Sequence, residues 1–201
     1  MNAPVVARAP ARRGARIGPN SVLQLLPLLD EALGCAERDR LLRACGMAQP
    51  PTEDGLMDEN PAAALHQRLR REYPALAPAL TRQAGERTGD YIVRNRIPLA
   101  ALRVLRTLPS WLAAPLLANV IEKHAWTFAG SGKFRLLSRQ PLVFELRDNP
   151  VVRGESAAGP ICHWHAAVFQ RLFTEIVDPN LRCEETRCCA AGAAACRFEL
   201  R

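Results

Sequence analysis

Residues 161–201 read ICHWHAAVFQRLFTEIVDPNLRCEETRCCAAGAAACRFELR, and this stretch decides the fold. It holds five of the seven cysteines: Cys162, Cys183, Cys188, Cys189 and Cys196. Its first part reads as an amphipathic helix, because Trp164, His165, Val168, Phe169, Leu172, Phe173 and Ile176 recur at i, i+3 and i+4 and share one face. Its second part reads as two short strands around a turn at Gly192, the last being Cys196-Arg197-Phe198-Glu199-Leu200. With Glu184 and Glu185 beside the cysteines, the ingredients of a tetrahedral thiolate and carboxylate zinc site are present. Such a site draws ligands from separate elements, and closing it with four protein groups contributes directly to folding.

Upstream, the pattern is first helical. Asn20 or Ser21 caps a helix carrying Val22, Leu25, Leu26, Leu29 and Leu33, stopped by Gly34, with Pro27 demanding a kink or a later start. A second helix covers residues 36–45, and Cys35 and Cys45 read there as core or interface residues. Asn60-Pro61 opens a helix to Glu72. Further helices span residues 77–95, 98–107 and 110–126, the last bent at Pro115. After Gly130-Ser131-Gly132 the period changes, and residues 134–138 and 142–147 form a hairpin through Arg139, Gln140 and Pro141. A loop over 149–159 leads to Pro160, which begins the helix containing Cys162. Helices, then hairpin, helix and hairpin predict an α+β fold, a helical N-terminal layer packed on a small antiparallel sheet. Residues 1–18, rich in Ala, Pro and Arg, read as a flexible basic arm, and 19–201 as a single globular domain.

The 201 residues, 48% of them hydrophobic, suffice for one core. An odd number of clustered cysteines fits metal binding in a reducing cytosol rather than a secreted disulfide framework. No apolar run approaches the roughly 20 residues of a membrane span. A net charge of +7 favours anionic surfaces and carboxylate-bearing ligands. The arginines are spread over many segments, only 5% of residues are aromatic, and no nucleic-acid module is recognisable, so nucleic acid is not an expected partner.

The Glu185-x-x-Cys188 and Cys188-x-x-x-Gly192-x-x-x-Cys196 pieces, with Cys162 upstream and an Arg-Phe-Glu-Leu strand behind, resemble the vinyl-4-reductase domain over about residues 130–201. That domain occurs in bacteriochlorophyll 4-vinyl reductase proteins, in phenol-responsive sensors and, more distantly, in Golgi transport-particle subunits. IGPNSVLQLLPLLDEALG near the start and CHWHAAVFQRLF before the cysteines most resemble the photosynthetic branch. The resemblance implies the ligand-binding fold shared by NO-signalling and Golgi-transport proteins. It also implies a structural zinc held by Cys162, Glu185, Cys188 and Cys196. Strand alternation alone would instead place Cys189 with Glu185 and turn Cys188 away, unless the turn towards Gly192 breaks the alternation.

The resemblance further implies bacteriochlorophyll synthesis, with a vinyl-bearing magnesium tetrapyrrole of the protochlorophyllide or chlorophyllide type as ligand and other synthesis enzymes as partners. Reduction of the 4-vinyl (8-vinyl) group would need NADPH or another donor, yet no G-x-G-x-x-G follows a strand, and no catalytic residue can be named. A tetrapyrrole carrier is therefore the alternative, and a small-molecule sensor a weaker one. His165, on the core stripe, and His124 with Trp126 are the candidate contacts for a flat aromatic ligand, and His163 a neighbour of the metal. The expected location is cytoplasmic, with at most peripheral contact with the photosynthetic membrane.

Overall fold

The computed structural model describes residues 14–201. The basic arm expected over 1–18 lies outside the described residues up to position 13. Its remainder is already part of the domain. Strand β1 (Arg16–Ile17) pairs antiparallel with β2 (Met57–Asp58), Ile17 is buried, and the Gly18 amide donates to the Thr127 carbonyl at 2.7 Å. An isoleucine in a short Arg-rich run carries no periodicity to reveal its burial.

The helical layer follows in the expected order. Helices α1 (Asn20–Leu23) and α2 (Leu26–Leu33) are one predicted helix broken just before Pro27, which sits in the first turn of α2 where its missing N–H costs nothing. Next come α3 (Cys35–Ala44) and α4 (Glu59–Glu72). The cap of α4 is Asp58, whose carboxylate accepts the Asn60 amide at 2.8 Å; Asn60, expected as the cap, already lies inside the first turn. Helices α5 (Ala77–Asn95), α6 (Leu99–Thr107) and α7 (Ser110–Lys123) complete the layer. Helix α7 stops before the expected Trp126: at His124 the amide and the ring Nδ1 both bond the Val120 carbonyl, and Trp126 opens a separate turn, α8 (Trp126–Ala129).

The sheet has the order β3-β4-β6-β5, all antiparallel, from β3 (Lys133–Arg139), β4 (Leu142–Arg147), β5 (Cys183–Arg187) and β6 (Cys196–Leu200). Leu142, Phe144 and Leu146 of β4 and Cys196, Phe198 and Leu200 of β6 alternate onto the inner face. Helix α9 (His163–Ile176) lies across that face and fills it with Phe169 and Phe173, whose rings stand 5.1 Å and 6.0 Å from Phe144. Each fully buried phenylalanine contributes about 2–3 kcal/mol relative to exposure. On the other side α9 packs against α5, where a Cβ on Gly85 would run into the Trp164 carbonyl and sit 2.7 Å from Cβ of Ala167. The two helices approach that closely because glycine stands there. Helix α9 starts at His163 rather than at Pro160, since the Cys162 amide is drawn to Glu185 Oε2 at 2.7 Å and residue 162 leaves helical geometry.

Gly130-Ser131-Gly132 is a structural joint. The buried Glu59 carboxylate accepts the Ser131 amide and hydroxyl, each at 2.6 Å, and the Arg153 guanidinium at 3.1 Å, tying the start of α4 to the entry of the sheet.

Candidate functional site

Three elements bring four ligand atoms together. Cys162 precedes α9, Glu185 lies in β5, Cys188 follows β5, and Cys196 opens β6; all four are buried and their sulfur and carboxylate atoms lie within 4.8 Å of one another. The Cys162 sulfur is 3.6 Å from that of Cys196 and 3.9 Å from that of Cys188. Those separations are too long for disulfides, and all seven cysteines are free. They match the edge of a tetrahedron around zinc, about 3.8 Å for Zn–S bonds of about 2.3 Å.

The irregularity of β5 brings Cys188 rather than Cys189 into the cluster. Glu185 pairs with Phe198 and Arg187 with Arg197, so the register slips by one residue. Beyond that slip, strict alternation no longer applies. Cys188 turns inward to the cluster, while Cys189 is half-buried and offers its backbone amide to the Cys196 sulfur at 3.4 Å. Gly192, at φ +84°, closes the turn.

The surroundings suit anionic ligands. Asn149, not foreseen from the sequence, donates its Nδ2 to the sulfurs of Cys162 at 3.3 Å and Cys196 at 3.7 Å, while its Oδ1 accepts the Val151 amide. Such outer partners orient ligands. Its signal is the Asn-Pro step after a strand, which reads as a turn and gives no hint of a sulfur partner. Burial pushes the Glu185 carboxyl up to about 8 and the Cys162 thiol well up, whereas hydrogen bonds from Cys162 and Cys196 lower Cys188. Glu185 Oε1 is buried with no hydrogen-bond partner. A dication bound by the cluster would hold every ligand deprotonated and give that orphan oxygen a partner.

The three candidate ring contacts differ in burial. His165 is fully buried among Trp164, Phe128, Phe169 and Phe198, with Nε2 3.3 Å from the Phe128 carbonyl, and burial lowers its pKa to about 4. His124 and Trp126 are exposed. His163 is half-buried, and burial lowers its pKa. A second buried histidine escaped the sequence reading: His66 of α4, whose Nε2 lies 2.8 Å from the Ser21 carbonyl. Its position among Ala62, Leu65 and Leu69 on the i, i+3, i+4 stripe would have found it.

A cleft of about 360 Å³ opens between the helical layer and the sheet. Trp111 and Ala114 of α7, Pro141 and Leu142 of the hairpin, and Phe173 of α9 give it apolar walls, with Arg139 and Arg201 at its rim. The cleft and the metal cluster sit at opposite ends of β6, which starts at Cys196 and reaches the cleft at Leu200. Four residues of strand separate them by roughly 13 Å.

Comparison with known proteins then places the chain. The vinyl-4-reductase domain profile matches residues 142–201, the segment that contains all four cluster residues. The bacteriochlorophyll synthase 23 kDa chain of Cereibacter sphaeroides is 55% identical over 185 residues, covering 92% of this chain and 90% of the relative. The chain belongs to the bacteriochlorophyll synthase 23 kDa chain family. The Rhodobacter capsulatus member is 47% identical over 194 residues, 96% of this chain and 91% of that one. A protein related to bacteriochlorophyll biosynthesis, as the family resemblance implied, is thus what the sequence encodes. H-NOX structures share the fold over 92% of this chain: the Fe(II) unliganded protein of K. algicida, in a mutant form, aligns at TM-score 0.60 and 13% identity over 96% of its length. Another H-NOX structure, from a study of heme distortion, aligns at TM-score 0.57 and 8% identity over 94% of its length. These bear out a helical layer on a small antiparallel sheet.

Proposed function

We propose that this protein is a tetrapyrrole-binding subunit of bacteriochlorophyll synthesis, which holds a vinyl-bearing magnesium tetrapyrrole of the protochlorophyllide or chlorophyllide type and presents it to other synthesis enzymes. The observation that carries the reading is the apolar cleft edged by Trp111, Arg139 and Arg201, in a chain whose relatives are named as a chain of bacteriochlorophyll synthase. An aromatic wall suits a macrocycle face, and guanidinium groups suit its carboxylates. Arg139 touches Asn119 at 3.3 Å, and Arg201 pairs with the exposed Glu184; exposed pairs of this kind contribute little, so both can turn to a ligand. The cleft is at the small end of ligand pockets, which run from about 300 to 1,000 Å³, so it takes one edge of a macrocycle while the rest lies against Trp111. That H-NOX structures concern heme on this fold is an analogy and adds only that the fold can house a tetrapyrrole.

We further propose that the cluster holds a structural zinc. Four protein ligands close the coordination sphere, and its place at the far end of β6 removes it from the cleft. This favours a carrier over the 4-vinyl (8-vinyl) reductase that the resemblance names. Seven free cysteines suit a reducing cytoplasm. His165 is read as a core residue, since an axial-ligand role would require α9 to part from Phe128.

The test is to mix purified protein with divinyl protochlorophyllide or chlorophyllide, with and without NADPH, and follow absorbance and pigment mass. Saturable binding with unchanged pigment mass is expected. Gain of two hydrogens with NADPH would make the isolated chain a reductase; absence of binding would overturn the proposal.

A further inference from the structure

We propose that the outer side of α7, with Leu137 of β3, is a docking surface for an anionic lipid bilayer. Leu112, Leu116 and Val120 recur at i, i+4 and i+8, one above the other on the side of α7 turned away from the core, while Ala113, Leu117, Ala118 and Ile121 face inward. Leu116 is 48% and Val120 46% exposed, and Trp111, one residue before the stripe, is 66% exposed. Leu137, also exposed, lies on the strand that meets α7: it is the extra residue at the β3 bulge, next to Leu136, whose amide donates to Glu122 of α7 at 2.8 Å. Of the exposed large hydrophobic side chains among the described residues, all but Leu76 fall between residues 99 and 137. Scattered apolar residues need no explanation, but this concentration does.

The charge pattern identifies the occupant. Of 27 Lys and Arg and 20 Asp and Glu in the chain, residues 91–140 hold eight and one, which leaves nineteen of each elsewhere. The whole net charge of +7 therefore resides in the segment that carries the apolar side chains. Lys123 continues the α7 stripe one turn beyond Asn119, and Arg139 bonds that asparagine from β3, so cations edge the patch. Neither Lys123 nor Arg139 forms an ion pair among the described residues. Exposed tryptophan and leucine bordered by lysine and arginine is the chemistry of a surface that lies in the headgroup layer of an anionic membrane. No helix of the described residues is long and apolar enough to cross a membrane, so the contact is with its surface. Trp111 belongs both to this patch and to the cleft, which places the cleft mouth at the lipid boundary. The proposal stands without the pigment reading, because its test uses no pigment.

The experiment is co-sedimentation of the full chain with phosphatidylglycerol and with phosphatidylcholine vesicles, together with tryptophan emission. Trp164 is buried, so a blue shift and quenching by brominated lipid report Trp111 and Trp126. Binding to the anionic vesicles, weakened by salt, is expected. The pair Leu116→Asp with Val120→Asp should lower it at least about tenfold while Leu76→Asp, exposed elsewhere, leaves it unchanged. Lys123→Glu with Arg139→Glu should also weaken it. Circular dichroism melts establish that each variant is folded. Failure to bind phosphatidylglycerol vesicles overturns the proposal, as does binding that ignores these substitutions. A dimer in sedimentation that Leu116→Asp dissociates, without vesicle binding, would assign the patch to a second copy and also overturn it.

Discussion

At the residue scale the chemistry is concentrated in four side chains and two buried histidines. Cys196 lies at the centre of the cluster, 3.6 Å from the Cys162 sulfur and accepting the amides of Asn149 and Cys189. Cys196→Ser is expected to abolish metal content and lower stability by several kcal/mol, on the order of a structural zinc site's contribution. Cys189→Ser should keep the metal, and Cys35→Ser, at an exposed position, should be mild; metal analysis and denaturant melts check all three. The two buried histidines add a pH dependence of their own. Burial lowers His66 to about 3 and His165 to about 4 from 6.5, so below pH 6.5 the unfolded chain binds more protons than the folded one. The histidine contribution to stability therefore rises with pH: each part is complete above about pH 6.5 and is lost as the pH falls towards the folded value, up to roughly 3 kcal/mol for His165 and roughly 5 kcal/mol for His66. His66→Gln keeps a donor for the Ser21 carbonyl but cannot titrate. Its stability should fall less steeply between pH 6.5 and 4 than that of the parent, and parallel curves would refute the assignment.

At the element scale, what the sequence reveals depends on whether a residue's role is periodic. The α9 stripe, the hairpin and the order of helices and strands were legible because each repeats at 3.6 or 2 residues. The fourth member of the cluster was not legible from alternation: the register slip between Glu185 and Arg187 reverses the parity that would have chosen Cys189. Family spacing selected Cys188, and the geometry brings Cys188 in. Contacts between distant segments were equally silent. Gly85 reads as a weak point in a helix, yet it lets α5 meet α9 at the Trp164 carbonyl. Gly85→Ala should therefore destabilise by about 1–3 kcal/mol through overpacking, against the gain of up to about 1 kcal/mol that alanine brings to an open helix. A raised melting temperature would show that α5 can shift at no cost. The N-terminal boundary offers a second check. Removal of residues 1–13 should leave cooperative melting intact, whereas removal of 1–18 deletes Ile17, the β1–β2 pair and the Gly18–Thr127 hydrogen bond and should lower the melting temperature.

At the scale of the whole molecule, β6 joins two regions with different duties. Its first residue belongs to the cluster in which the start of α9 meets the sheet, and its last residue lines the cleft. Phe198 between them is fully buried against Phe169 at 5.2 Å. Substitutions at the two ends should then differ in how far their effects reach. Loss of a metal held there would release Cys162 at the start of α9 together with the edge strand β5 and its neighbour β6, and the cleft, which uses Phe173 of α9 and Leu200 of β6, would lose its walls. Loss of a cleft side chain removes no ligand and no core contact of the cluster. Trp111→Ala and Arg139→Ala, both at exposed positions, are therefore expected to lower pigment affinity roughly tenfold each, the size of one aromatic or charged contact, with zinc content and melting unchanged. Cys196→Ser should lose zinc, cooperative melting and pigment binding together. Titration of divinyl protochlorophyllide into each variant, with metal analysis of the same samples, reads all of these at once. If pigment affinity survived the cleft substitutions but vanished in a folded, zinc-replete His165→Ala protein, the ligand would sit against α9 at the Phe128 side, and the cleft would be a surface feature without a part in pigment binding.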